Sequence, residues 1–322
     1  MAIDLNSIIY IAGHQGMVGS AIHGELKLRG FKNIITKTRA ELDLINQNDV
    51  EQFYKKNKPE FVFVCAAKVG GILANDNYRA QFIYENIQIQ NNLIHFAYKY
   101  NVNKLLFLGS SCIYPRKSKQ PIREEYLLTD ELEKTNEPYA IAKIAGLKMC
   151  QSYYDQYSCN FISAMPTNLY GINDNFDLES SHVIPALIRK IHDAKILKKN
   201  HVKVWGSGKP LRDFLHVDDL AKACIFLIEN VDAKDLSKFK ICQINIGSGK
   251  EISIADLAMK IIETIEFKGK IMFDKSKPDG TMKKLLDNSR INSLGWHPSI
   301  SIDDGIKKTY HWYKSNINQL AK

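Results

Sequence analysis

The sequence contains no Cys-x-x-Cys pair. Its six cysteines, at 65, 112, 150, 159, 224 and 242, follow neither zinc-ligand spacing nor a disulfide framework, and 322 residues are enough to bury a core without covalent staples. Long hydrophobic runs are also missing. Nothing approaches the ~18 apolar residues of a membrane span, and Met1-Ala2-Ile3-Asp4-Leu5 lacks a basic region leading into an apolar core. These absences predict a soluble cytoplasmic protein with no membrane contact. No internal repeat is visible, and hydrophobic and charged residues stand at 45% and 25%, values that exclude the disordered and collagenous classes. Positive charge is in excess, 44 Lys+Arg against 35 Asp+Glu for a net +9. It is spread along the chain and not gathered into a stripe with interleaved aromatics, so an anionic small molecule is expected as partner and nucleic acid is not.

What is present is alternation. The apolar run Ile8-Ile9-Tyr10-Ile11-Ala12 turns through glycines into the helical pattern that begins Met17-Val18-Gly19-Ser20. A strand over Asn33 to Thr36, a continuously apolar one over Phe61 to Ala67 and a fourth over Lys104 to Gly109 follow, separated by helical patterns. Strands that lose polar alternation are buried on both faces, so the fold expected is α/β, a Rossmann-type doubly wound parallel sheet. After about Asn168 glycines and prolines shorten the segments, and from Lys250 the chain reads as a smaller mixed α/β substrate lobe. The expected division is residues 1–170 plus about 213–246 for the nucleotide-binding domain and about 171–212 plus 247–322 for the lobe.

Gly13-His14-Gln15-Gly16-Met17-Val18-Gly19 gives G-x-x-G-x-x-G between the first strand and its helix. Glycines there let the backbone approach a pyrophosphate, which the free N–H groups and positive end of the helix favour. At the end of the second strand an NAD enzyme offers an acid to the ribose. This chain reads Thr36-Lys37-Thr38-Arg39, and Arg39 suits a 2′-phosphate instead, so NADP is the expected cofactor.

The fourth strand runs into Leu108-Gly109-Ser110-Ser111-Cys112-Ile113-Tyr114-Pro115, and Tyr139-Ala140-Ile141-Ala142-Lys143 follows on a helix. At i and i+4 Lys143 stands beside Tyr139, where it would lower the phenol's pKa, and Ser110 would bond the same carbonyl oxygen that Tyr139 protonates. Ser110 and Cys112 are two apart, so on a continuing strand both would face one side.

With these residues the chain resembles the extended short-chain dehydrogenase/reductases and, within them, the GDP-L-fucose synthase family of 3,5-epimerase-4-reductases. The likeness runs through Gly13 to Ser20, Ala66 to Ile72, Leu108 to Pro115, Asn136 to Gly146 and Met165 to Gly171. It continues through Ser181 to Leu187, Val204 to Gly208, Asp213 to Asp219 and Lys277-Pro278-Asp279-Gly280-Thr281. The resemblance implies Ser110, Tyr139 and Lys143 as the reductase triad and Cys112 and His182 as the acid/base pair that inverts C3 and C5, whose protons a C4 ketone acidifies. Taken alone, Cys112 reads as an inert buried thiol and His182 as a loop histidine. Dehydratases of the superfamily carry a Glu at the position of Cys112, which argues against that activity.

The same resemblance places Gly13, Gln15, Gly16, Met17, Val18, Gly19, Arg39, Leu42, Leu108, Gly109, Pro166, Asn168 and Leu169, with Ser110, Lys143 and His182, along NADP. It places Asn168, Val183, Leu187, Lys190, Trp205, Arg212, Asp279 and Lys284 along the GDP-sugar. Gln15 and Lys190 stand where relatives carry Arg, and the loop Gly171 to Asp177 beside the sugar end leaves room for another sugar. The principal alternative is C4 reduction of a different GDP-4-keto sugar, such as a heptose, without epimerisation; a non-enzymatic NADP sensor is the other. A homodimer built from the helices around 78–100 and 139–157 is expected from the family.

Overall fold

Alternating strands and helices build a parallel sheet in the computed structural model, which describes residues 2–276 and 279–320. Met1, Lys277 and Pro278 of the segments quoted above lie outside the described residues. The first half runs β1 (Ile8–Ala12), α1 (Met17–Leu28), β2 (Asn33–Thr36), α2 (Gln47–Asn57), β3 (Phe61–Val64), α3 (Ile72–Asn77), α4 (Arg79–Lys99), β4 (Lys104–Leu108), α5 (Glu137–Tyr157) and β5 (Phe161–Pro166). The second half runs β6 (Asn168–Tyr170), α6 (Val183–Ile196), β7 (His201–Trp205), β8 (Leu211–His216), α7 (Val217–Asn230), α8 (Ala233–Ser237) and β9 (Gln243–Ile246). It ends with β10 (Glu251–Ser253), α9 (Ile254–Ile265), β11 (Lys270–Asp274), β12 (Lys283–Lys284), α10 (Ser289–Ser293) and α11 (Ile302–Leu320).

Six strands pair in the order β2-β1-β3-β4-β5-β9, every neighbour parallel. Side-chain alternation sends Ile9, Ile11, Phe61, Phe63 and Leu106 to one core with Ile22 and Leu26 of α1 and Leu220 and Cys224 of α7. Tyr10, Val62, Val64, Leu105 and Phe107 go to the other, with Phe53 and Tyr54 of α2, Leu93 of α4 and Leu147 of α5. Both faces are therefore buried, which is why these strands read as unbroken apolar runs. Each fully buried large aliphatic or aromatic side chain contributes roughly 1.5–3 kcal/mol. The chain leaves β1 toward β2 on one side and returns to β3 on the other, so the strand order reverses beside the carboxyl end of β1, where α/β sheets hold ligands.

A third core, around Tyr170, Ile188, Val204, Phe214, Leu257, Ile261 and Tyr313, belongs to the lobe. There β8 pairs with β6, β10 and β12, and β7 with β11. Two strands are shorter than the sequence predicts. β3 stops at Val64 and not Ala67, because its neighbour β1 ends at Ala12, the register partner of Val64; Cys65 N–H gives the last bond, to the Ala12 carbonyl at 3.0 Å. β4 likewise ends at Leu108. Among the described residues no helix is long and apolar enough to cross a membrane.

Asp213 stitches the lobe sheet to the large one. Its main-chain oxygen accepts from Thr167 Oγ1 (3.1 Å) and Asn168 Nδ2 (2.9 Å) at the β5–β6 joint, and its Oδ1 accepts from the amide (3.0 Å) and hydroxyl of Ser248. The residue is 0% exposed, and burial, against those hydrogen bonds, lifts its pKa to about 6 from 3.8. A raised carboxyl pKa favours the folded state at low pH and is a penalty above the folded value. The penalty therefore grows as pH rises from ~4 to ~6, and at its full extent is about 3 kcal/mol. Urea midpoints taken at pH 5 and 7 are expected to differ less for Asp213→Asn than for the parent protein; an identical difference would show that Asp213 does not set it.

Candidate active site

The glycine turn is built by close approach. Gly13 has φ +86°, and a Cβ there would lie 2.7 Å from both Cα and N of Ala66, two residues past the end of β3. A Cβ on Gly19 would lie 2.2 Å from the Gly13 carbonyl oxygen. Gly16 caps α1 without a side chain, and no acid occupies the first turn, so the leading N–H groups of a twelve-residue helix face the cavity without a competing anion. At the end of β2, Thr38 gives its amide and hydroxyl to Glu41 Oε2, each at 2.8 Å, and Lys37 pairs with Glu41 at 3.5 Å. That clasp turns the backbone so that Arg39 lines the same cavity.

The cavity measures about 640 Å³. Gln15, Gly16, Met17, Val18, Leu42, Leu108, Gly109, Pro166, Asn168 and Leu169 line it with Gly13, Gly19 and Arg39, and so do Ser110, Cys112, Tyr139, Lys143 and His182. Segments from six parts of the chain thus converge at the point where the strand order reverses. Backbone packed this tightly, bare helix amides and a cation at the tip of β2 fit a dinucleotide carrying a 2′-phosphate.

The stretch after β4 departs from expectation. The strand does not persist; Ser111–Ile113 is a 3₁₀ turn capped by Ser110, whose Oγ accepts from the Cys112 amide at 3.4 Å. Ser110 and Cys112 meet through this turn and not through strand alternation. Gly109 N–H bonds the Ala164 carbonyl at 2.9 Å, and a Cβ on Gly109 would strike Met165 Cε at 2.1 Å, so the backbone is held as it leaves the sheet. On α5, Pro138 stands in the first turn where its missing N–H costs nothing.

Lys143 is 3% exposed and gives its ammonium to the Leu108 carbonyl at 2.7 Å, 4.8 Å from the Phe107 ring centroid and 5.8 Å from that of Tyr139. Burial presses its pKa down to about 8, against the pull of Cys112 and Cys65. The expected lowering of Tyr139 does not occur here. Burial, helped by Cys112, pushes the phenol above its ordinary value, and the Lys143 ammonium donates to the Leu108 carbonyl. Burial likewise raises the Cys112 thiol, opposed by Lys284, the Ser110 hydroxyl and Lys143.

His182 caps α6 with its backbone at φ −80°, ψ 175°, and its ring makes no capping bond. It keeps an exposed edge, yet the surrounding walls lower its pKa by desolvation. Lys284 reaches the cavity from β12; burial lowers its pKa, with Cys112 opposing and Arg212 assisting. Asn168 lines the cavity as well, whereas Val183, Leu187, Lys190, Trp205, Arg212 and Asp279 do not and stand farther along the lobe. Lys190 Nζ lies 4.7 Å from the Trp205 ring centroid, a cation–π contact. Arg212 bonds the Leu211 carbonyl at 2.9 Å, and Asp279 accepts the Ser207 amide and hydroxyl at 2.6 and 2.8 Å. Val183 is exposed, whereas Leu187 packs into the lobe core.

The loop after β3, Cys65 to Val69, and the apolar pair Leu44 and Ile45 also wall the cavity, and sequence reasoning gave them no role. Their signal was available: Gly70-Gly71 follows the third apolar run as the glycine turn follows the first.

A family model described as the NAD dependent epimerase/dehydratase family matches residues 9–247. GDP-L-fucose synthase 1 of Arabidopsis thaliana is 54% identical over 314 residues, 98% of this chain and 95% of that protein. GDP-L-fucose synthase of Escherichia coli is 50% identical over 314 residues, 97% of this chain and 98% of that protein. Among solved structures, a GDP-mannoheptose C4 reductase from Campylobacter jejuni with NADP bound superposes with a TM-score of 0.89 at 44% identity, covering 97% of this chain and 99% of that one.

Proposed function

The chain belongs to the NAD dependent epimerase/dehydratase family and, within it, to the GDP-L-fucose synthases, and from that premise we propose how its residues divide the work. The protein is an NADPH-dependent enzyme that converts GDP-4-keto-6-deoxymannose to GDP-L-fucose. NADPH supplies the hydride for C4. Ser110 bonds the C4 oxygen, and Tyr139, whose phenol is protonated at neutral pH, gives it a proton. Lys143 sets a positive charge beneath the ring, favouring the phenoxide left after transfer. Before reduction, Cys112 and His182 work at C3 and C5, one taking a proton from one face and the other returning one to the opposite face. A lowered imidazole pKa keeps His182 neutral near pH 7, able to serve as base and then as acid.

What carries this reading is one observation: Ser110, Cys112, Tyr139, Lys143 and His182 line the same cavity as the glycine turn and Arg39. Arg39 takes the 2′-phosphate, while residues 1–170 with about 213–246 hold the cofactor and the rest grips the sugar nucleotide. Turnover of GDP-4-keto-6-deoxymannose with NADPH in D2O tests it. Deuterium is expected at both C3 and C5 of the product. Reduction without deuterium would overturn the epimerisation roles and leave a plain C4 reductase, the activity named for the Campylobacter relative.

A cytoplasmic location is supported by six cysteines without a disulfide. A homodimer is supported by α4 and α5, which pack on one another and leave Tyr84, Ile141 and Tyr157 exposed at 60%, 42% and 46%. Light scattering is expected to give twice the chain mass at micromolar concentration; a single-chain mass would remove the dimer.

A further inference from the structure

We propose that Asp177 and Gly71 are positioning residues for His182, acting on epimerisation and not on hydride transfer. The proposal rests on the reading of His182 as an epimerisation acid/base. As the cap of α6, His182 receives no hold from its own ring within the helix, so the placement of its side chain follows from how the preceding backbone is anchored. That backbone is clasped from two sides.

On the near side, Asp177 closes a turn. Its Oδ1 accepts from Glu179 N (3.1 Å), Ser180 N (3.0 Å) and Ser180 Oγ (2.8 Å), and its carbonyl accepts from Ser181 N at 2.9 Å. On the far side, Gly71 N–H donates to the Ser180 carbonyl at 2.9 Å. The approach is close: a Cβ on Gly71 would lie 2.9 Å from the Ser181 oxygen and 3.2 Å from the Ser180 oxygen. Gly71 has φ −67°, an ordinary value for any residue, so the glycine is needed for space and not for conformation.

Gly71 can act as an anchor because its own loop is fixed. Asn75, 6% exposed, donates to the Gly70 and Gly71 carbonyls at 2.7 and 3.1 Å. Asn86 of α4, 2% exposed, brackets Lys68 by accepting its N–H at 2.8 Å and donating to its carbonyl at 3.0 Å. The large domain thereby reaches across the cleft to hold Ser180, two residues ahead of His182. Ser110, Tyr139 and Lys143 stand on the end of β4 and on α5 and receive no bond from this clasp. Misplacement of a proton-transfer group by about 1 Å lowers its step by as much as ~10²-fold.

The test separates two reactions of the same enzyme. Deuterium entry from D2O at C3 and C5 of GDP-4-keto-6-deoxymannose reads epimerisation, and reduction of NADP by GDP-L-fucose reads hydride transfer alone, since C4 oxidation moves no proton at C3 or C5. Asp177→Ala is expected to slow deuterium entry about 10–100-fold while GDP-L-fucose oxidation stays within about threefold of the parent. Asp177→Asn retains an Oδ1 acceptor and is expected to keep both rates. Gly71→Ala, which forces the Ser180–Ser181 backbone away, is expected to lower the ratio of deuterium entry to oxidation as Asp177→Ala does. Equal losses in both reactions, or no loss of deuterium entry, would overturn the proposal. Absence of deuterium entry in the parent enzyme would overturn the underlying reading of His182 instead, so the two failures are distinct.

Discussion

Replacing Tyr139 with phenylalanine is expected to lower NADPH oxidation by about 10²–10⁴-fold, the range for losing a positioned general acid. Deuterium exchange at C3 and C5 is expected to continue, because Cys112 and His182 are untouched. The substitution keeps the ring and its edge contact with Phe82, whose centroid lies 6.2 Å away, and removes only the hydroxyl. Tyr139 is half-buried, and removing its hydroxyl while keeping the ring opens no core cavity and leaves no buried charge unpaired, so the expected cost in stability is small. A Tm within about two degrees of the parent should therefore accompany the kinetic loss and exclude unfolding as its cause. Stopped reduction with continuing exchange would accumulate epimerised ketones, detectable by NMR. Full NADPH turnover in the variant would remove Tyr139 from the mechanism.

Gly13→Ala is expected to damage the cofactor site through both backbone conformation and packing. The residue sits at φ +86°, which costs an L side chain roughly 1–2 kcal/mol. Its new Cβ would meet Ala66 Cα and N at 2.7 Å and the Cys65 carbonyl carbon at 3.0 Å. Those are backbone atoms of the segment leaving β3, so no rotamer change relieves the contact, and overpacking adds about 1–3 kcal/mol. A loss on the order of 2–5 kcal/mol lowers Tm by roughly 5–15 °C in a chain of this size. The turn must also withdraw from the space its amides present to a pyrophosphate, so NADPH affinity measured by fluorescence titration should fall more than about tenfold, or ~1.4 kcal/mol. Gly24→Ala provides the contrast. It lies on α1, the helix that follows the turn, with nothing within 4 Å of its Cβ, and it should stabilise by roughly 0.5–1 kcal/mol with binding unchanged. Parental affinity in Gly13→Ala would show that the turn does not carry the cofactor.

Several readings were accurate because near neighbours decide them. Asn33–Thr36 is a strand and Arg79–Lys99 a helix at or close to the limits that periodicity gave. The glycine turn follows from residues a few places apart. Failures occurred where a segment's state depends on a distant partner. β3 stops early because β1 does. The Ser110–Cys112 pair looked like strand alternation but is a 3₁₀ turn, since β3 stops opposite Phe107 and pairing with β5 ends at Leu108. A spacing of four placed Lys143 beside Tyr139 correctly, yet the sign of the phenol's shift came from burial and Cys112, while the lysine's ammonium donates to a carbonyl on β4.

The sequence by itself determined the α/β class, the nucleotide turn, the cation at the end of β2 and the set of chemically able side chains, because pattern, propensity and residue type are local properties. Only the tertiary structure decided that Ser110, Tyr139 and His182, tens of residues apart, share one cavity, which groups there are charged, and that a loop after β3 holds the backbone ahead of His182. Distances and desolvation arise from packing between segments remote in the chain, and no window of sequence contains both sides of such a contact.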